Sequence, residues 1–231
     1  MFLHIPKTGG TSFRNVVEAV YGRRCLSVYS LDSDTLAVAR GRLGEADAIY
    51  GHLFYGVHEI FGIKPRYVTI LRDPLDRVVS FYRHQSRDQE SEYFQAIADG
   101  ATLLDLVESG CCHQVNNHMV RIVSGYEGSE PVHDQQVLDR AMANLADFEC
   151  VGLAERMDDS VALIAERLGW PSVPTVPRLN VTPGDDPLID STTREAVLSQ
   201  NALDLKLYAE VAGSFPEARA GKNPFRRAGR A

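Results

Sequence analysis

The chain opens with the apolar run Met1 to Ile5 and passes through Pro6-Lys7-Thr8-Gly9-Gly10 into a segment where Phe13, Val16, Val17 and Val20 recur at helical spacing. A short strand feeding an amphipathic helix through a two-glycine turn is the opening of an α/β fold. The helix begins near Thr11, so its unpaired N–H groups and positive dipole end face the turn. Gly9 and Gly10 let the backbone approach an anion there without side-chain obstruction, and Lys7 adds a mobile charge. Thr11 and Ser12 can cap the helix and donate hydroxyl hydrogen bonds to the same oxygens. The bland reading is a Gly-Gly turn that merely joins strand to helix; Lys-Thr-Gly-Gly-Thr-Ser in one run favours the anion.

The residue order excludes the Walker loop, which reads GxxxxGK[ST], with Lys after the glycines and directly before the Mg²⁺-binding hydroxyl. Here Lys7 precedes them. Phosphate binding is supported, whereas an ordinary Mg²⁺ site of a kinase or ATPase is not.

A second junction follows the same plan. Tyr67-Val68-Thr69-Ile70-Leu71 is short and β-rich, and after Arg72-Asp73-Pro74 the residues Leu75, Val78, Val79 and Tyr82 share a helical face. Pro74 suits a helix start. Arg72 then stands at the carboxyl end of a parallel strand, where α/β sheets bind ligands, and its planar fork suits phosphate. Ser80, eight residues on, shares an anion with Arg72 if the helix runs alongside the ligand. Arg77 is expected to pair with Asp73 at i, i+4 spacing. Two anion sites point to a doubly phosphorylated nucleotide.

Short apolar runs alternate with helical stretches through the rest of the chain, which predicts α/β architecture with a mainly parallel central sheet flanked by helices. Candidate strands are residues 2–5, 47–51, 66–71 and 148–153. Helical periodicity is clear at Val161, Ile164, Ala165 and Leu168, and again at Leu207, Tyr208 and Val211. With 44% hydrophobic and 24% charged residues, one large domain over 1–220 has ample core, leaving a basic tail, 221–231, expected to fray. The stretch 171–187 holds five prolines and is read as an ordered loop.

Both junctions, in this order and separation, resemble the cytosolic-fold sulfotransferases, most closely the branch that includes heparan and uronyl 2-O-sulfotransferases and their bacterial relatives. Asn117-His118-Met119-Val120-Arg121-Ile122-Val123-Ser124-Gly125 looks like that branch's Asn-x-x-x-Arg-x-x-x-Gly segment. Phe148 through Val151-Gly152-Leu153-Ala154-Glu155-Arg156 looks like its later strand. Arg178-Leu179-Asn180-Val181-Thr182-Pro183 and the helix with Asp204-Leu205-Lys206-Leu207-Tyr208 extend the similarity to about residue 215.

The resemblance implies a P-loop-like sulfotransferase fold and transfer of a sulfuryl group from 3'-phosphoadenosine 5'-phosphosulfate (PAPS) to a hydroxyl or amine, without a metal. Carried over by motif, Lys7, Thr8, Gly9, Gly10, Thr11 and Ser12 would hold the 5'-phosphosulfate, and Arg72 with Ser80 the 3'-phosphate. A Lys and helix N–H groups suit a loose transition state that loads charge onto oxygens. Ile49-Tyr50-Gly51-His52 matches the family's Gly-His between the two phosphate motifs, which makes His52 the candidate general base beside Lys7. An unperturbed imidazole pKa of about 6.5 allows that role near neutrality. His58 and Glu59 are its rivals, and Arg178 and Thr182 are candidate adenine contacts. The loops Phe54 to Lys64, Ser86 to Glu92 and Cys111 to His118 are where acceptor specificity is expected.

Cys111-Cys112-His113 and His118 lack the Cys-x-x-Cys spacing of a structural zinc site. Adjacent cysteines rarely bridge, and Cys25 and Cys150 are isolated, so four free thiols of a reducing compartment are expected. Glu155 reads as a charge at a strand end. The longest apolar runs fall far short of the roughly 20 residues of a membrane span, and no secretory signal is evident, so a cytoplasmic location is expected. The net charge is −7, and −11 without the tail's Lys222, Arg226, Arg227 and Arg230. An acidic body disfavours nucleic acid and long sulfated polyanions, and favours a neutral or modestly charged acceptor: a sugar hydroxyl on a glycolipid or oligosaccharide, or a small metabolite. The competing readings are a P-loop-like phosphotransferase and a non-catalytic nucleotide-binding protein of the same fold.

Overall fold

The computed structural model describes residues 1–177, 189–219 and 224–225. In chain order the elements are β1 (Phe2–Leu3), α1 (Gly10–Tyr21), β2 (Cys25–Ser27), α2 (Ser33–Arg42), β3 (Ala48–Gly51), α3 (His58–Phe61), β4 (Tyr67–Leu71), α4 (Pro74–Gln85), α5 (Phe94–Ala98) and α6 (Leu103–Glu108). They continue with α7 (His118–Ser124), α8 (Gln135–Asn144), β5 (Phe148–Leu153), α9 (Met157–Leu168), α10 (Ser191–Gln200) and α11 (Ala202–Arg219). Arg178, Thr182 and most of the basic tail lie outside the described residues.

The strands form one parallel sheet in the order β2-β3-β1-β4-β5. The chain runs outward from β1 to β2 and back to β3, then crosses to the other side of β1. The carboxyl ends of β3, β1 and β4 therefore lie side by side at the reversal of strand order, the place where open α/β sheets hold ligands. The α/β expectation holds. Two differences are local: β1 is only Phe2–Leu3, because the chain leaves the sheet at His4, and β2, a three-residue edge strand, carries too little apolar signal to be read from sequence.

Burial explains the composition of the inner strands. Every residue of β4 is buried, and Thr69 satisfies its hydroxyl by donating to the Leu3 carbonyl at 2.7 Å. On β5, a Cβ at Gly152 would stand 2.7 Å from Ser160 Cβ, so only glycine lets α9 approach this closely. The Ser160 hydroxyl donates to Leu153 O at 2.9 Å and accepts from Leu153 N at 2.8 Å.

The Asn117-to-Gly125 segment and the helix with Asp204 stabilise each other. Asn117 Oδ1 accepts from the N–H groups of Leu203 and Asp204 at 2.9 and 3.0 Å, capping α11. The Asp204 carboxylate accepts from Met119 and Val120 N–H at 3.0 and 2.7 Å, capping α7. Both side chains are fully buried, so these bonds replace water for four N–H groups at helix starts. Arg121, also buried, donates to the carbonyls of Asn116, Gly128 and Glu130 and pins the 126–132 loop. All four cysteines are unbridged.

Candidate active site at the carboxyl edge of the sheet

The β1–α1 turn is held by its own side chains. Thr8, buried, donates its hydroxyl to Ile5 O at 2.9 Å. Lys7 and Gly9 both have left-handed backbone, at φ 70° and 82°. The helix starts at Gly10, one residue before the sequence expectation, with Gly9 as N-cap and no side-chain cap. Thr11 and Ser12 are therefore not caps but residues of the first turn, Thr11 exposed and Ser12 buried. A glycine N-cap leaves the helix-start N–H groups to whatever anion the turn receives.

Arg72 follows β4 directly and donates from Nη1 to the Lys7 carbonyl at 3.1 Å. Burial, then the charges of Arg72 and Arg87, lower the Lys7 pKa to about 8. Desolvation and the Lys7 charge likewise lower that of His84. Ser80, His84 and Arg87 fall at i, i+4 and i+7 along α4 and the turn that ends it, on the side not used by its buried residues Leu75, Val78, Val79 and Phe81. His84 and Arg87, which are not singled out by the sequence, share this side of α4 with Ser80 through that spacing.

Arg77 does not pair with Asp73. It is fully buried and donates to the Gln114 carbonyl, while the Asp73 carboxylate caps α4 by accepting from Asp76 N at 3.1 Å. Arg77 shares its helix face with Val78 and Phe81, and that face packs inward. Glu155, beyond β5, accepts from Asp73 N at 2.7 Å and from the Tyr208 hydroxyl at 3.1 Å, so it fixes the backbone beside Arg72.

His52 follows β3, exposed, with its ring 4.8 Å from that of His4 and 4.9 Å from that of Tyr29. Partial burial lowers its pKa. Its partner His4 stacks on Tyr50 at 5.2 Å, and the Tyr50 hydroxyl donates to Gly10 O at 3.0 Å. The strand ends thus bring together His4, Lys7, His52 and Arg72.

The rivals lie elsewhere. His58 Nδ1 is 2.7 Å from the hydroxyl of Tyr67, the first residue of β4, so it belongs to the amino edge. Tyr55 bonds to Asp147 just ahead of β5, again at the amino edge. The Phe54-to-Lys64 segment is consequently a crossover beneath the sheet and not, beyond its first residues, a wall of the site. A cavity of about 390 Å³ between Met1, Ala48, Lys64 and Arg66 sits at that same edge, remote from the strand ends that carry the cations. Among the described residues no helix is long and apolar enough to cross a membrane.

The model of the Sulfotransferase family matches residues 1–209, from β1 into α11. Heparan-sulfate 6-O-sulfotransferase 2 of Gallus gallus is 26% identical, over 90% of this chain and 64% of its own length. For heparan-sulfate 6-O-sulfotransferase 1 of Homo sapiens the figures are 25%, 90% and 63%. Heparan sulfate 2-O-sulfotransferase 1 of Mus musculus is 21% identical over 73% of this chain and 54% of its own. The chain thus spans a little under two thirds of the length of the 6-O relatives. With both strand–turn–helix junctions and the parallel sheet inside the matched region, the chain belongs to the Sulfotransferase family.

Proposed function

We propose that this protein moves a sulfuryl group from PAPS to a hydroxyl of a carbohydrate, glycolipid or small metabolite. The observation that carries the reading is the hydrogen bond from Arg72 to the Lys7 carbonyl, which joins the two anion-binding junctions into one cationic site. The site suits a doubly anionic nucleotide: a glycine-capped helix start beside Lys7 on one strand end, and Arg72 with Ser80 on the next. Lys7 and the first turn of α1 would hold the 5'-phosphosulfate, and Arg72 and Ser80 the 3'-phosphate.

The bound donor supplies the activated sulfuryl group. Lys7 Nζ and the α1 N–H groups present fixed positive charge to the leaving phosphate, stabilisation of the kind that dominates such transfers. His52, kept neutral by its lowered pKa, accepts the acceptor proton on its unprotonated ring nitrogen. A carbohydrate acceptor is supported by the names of the relatives, heparan-sulfate sulfotransferases. The net charge of −7 argues for an acceptor less anionic than a long sulfated chain.

Calorimetric titration with 3'-phosphoadenosine 5'-phosphate (PAP), against AMP and ATP without metal and ATP with Mg²⁺, tests the donor assignment before any acceptor is known. Preference for the 3'-phosphorylated nucleotide is the expected result. No binding, or preference for ATP with Mg²⁺, would overturn it in favour of a phosphotransferase.

A further inference from the structure

His4 touches both the phosphate turn and the candidate base. It leaves the sheet at the end of β1, and its ring stacks on Tyr50, at 5.2 Å and 26°, and against His52, at 4.8 Å and 41°. On its other side lies the phosphate turn: a Cβ built on Gly10 would stand 1.7 Å from His4 Nε2. Gly10 has no need of positive φ, so what forbids a side chain there is the imidazole itself. Tyr50 closes the arrangement by donating to Gly10 O. The His4 ring is thereby fixed on three sides and forms the wall against which His52 rests, with the Tyr29 ring meeting His52 edge-on from beyond β2.

We propose that His4 is a positioning residue, holding the His52 ring in place against the phosphate turn and covering one face of it. The inference rests on the reading of His52 as the base. The groups that face His4 are His52, Lys7 and Arg14, with Tyr29 and Tyr50 around the ring. Burial, and then the positive charge of these three neighbours when protonated, lowers the His4 pKa to about 3. His4 is therefore neutral throughout the working range and brings no charge to its partner. What it supplies is a rigid, uncharged wall, and a base with one face against such a wall loses hydration on that side, which favours its neutral form.

The experiment is an NMR titration of the His52 ring Hε1 signal, identified by its loss in His52→Ala, in the wild type, His4→Ala and His4→Phe. It needs no substrate. In His4→Ala the His52 titration should move up toward the unperturbed imidazole value of about 6.5. With PAPS and acceptor, kcat should fall by about tenfold or more while PAP affinity changes less than about threefold, the split expected for a misplaced base. His4→Phe, which keeps a flat uncharged ring, should retain the low titration point and most of kcat. An unmoved His52 titration in folded, PAP-binding His4→Ala, or a Phe variant that behaves like Ala, would overturn the role of His4. Should His4→Ala fail to fold, a His4→Phe protein whose His52 titrates near 6.5 would overturn it equally. Unimpaired turnover in His52→Ala would instead remove the base assignment on which the inference rests.

Discussion

The Arg72 guanidinium donates from Nη1 to the main-chain carbonyl of Lys7 at 3.1 Å, so a cation from one strand–helix junction holds the backbone of the other. Lys7 needs holding. Its φ of 70° lies in the left-handed region, which costs a non-glycine residue about 1 kcal/mol or more and persists only where neighbours impose it. Arg72 and the Thr8–Ile5 bond are two such constraints, and both act on the same turn.

Arg72→Ala should therefore weaken PAP binding twice over, through the lost phosphate contact and through a looser Lys7. With hydrogen bonds to charged groups worth about 1.5–3 kcal/mol, a loss of about 10²-fold is expected by calorimetry. Arg72→Lys should recover only part of it, because a point charge cannot bond phosphate and carbonyl with one planar fork. Affinity unchanged in the Ala variant would place the nucleotide elsewhere.

Lys7 gives the site a pH signature. Burial and two neighbouring arginines bring its pKa in the free protein to about 8, below the usual 10.5, so it loses its proton as pH rises through that value. A bound anion favours the charged form and lifts the pKa again. Nucleotide binding should thus take up almost no proton at pH 7, where Lys7 is already charged, and approach one proton near pH 9. Calorimetry in buffers of different ionisation enthalpy measures the uptake. In Lys7→Arg, whose side chain stays charged, it should vanish. The same proton uptake in that variant would assign it to another group.

The two junctions were legible because each compresses strand, turn and helix into a dozen residues whose periodicity and turn chemistry are local. Lys7, Gly9, Gly10, Arg72 and Ser80 could be named as candidates on those grounds together with family resemblance. His4 could not, since its role depends on β1 and β3 lying side by side, a relation between residues some fifty positions apart. Arg77 was misread for a related reason: i, i+4 spacing to Asp73 is a local signal, but the tertiary fold buries that face of α4 and spends Asp73 on the helix cap. Asn117 and Asp204 stood out only as family-like residues. Their mutual capping spans 87 residues of sequence and has no short-range trace.

His52 and His58 make a paired test of the base. His52 lies at the carboxyl edge beside His4, and His58 at the amino edge against the Tyr67 hydroxyl. His52→Ala should lower kcat by about 10²- to 10⁴-fold, the usual worth of a general base, with PAP affinity nearly intact. His58→Ala should leave kcat within about twofold and cost only stability. Because burial lowers the His52 pKa, the acid limb of the kcat/KM profile should fall below pH 6.5. An acid limb that survives His52→Ala would point to another group.

The reciprocal caps predict a fold defect rather than a catalytic one. Asn117→Ala removes the acceptor for Leu203 N and Asp204 N and the donor to the Val132 carbonyl, all in buried surroundings. Each buried group left unpaired costs about 1–3 kcal/mol, and partial relaxation brings the sum to about 3 kcal/mol. For a chain of this size that lowers Tm by roughly 10 °C. Asn117→Asp offers a different outcome, since it keeps the acceptor oxygens but sets a second carboxylate close to that of Asp204, whose pKa burial already raises. Its stability should be worst at neutral pH and recover toward that of Asn117→Ala or better as the pair takes up a proton in acid. Thermal melts of both variants between pH 5 and 8 measure this, and a pH-independent Tm difference between them would show that the two caps do not share a buried site.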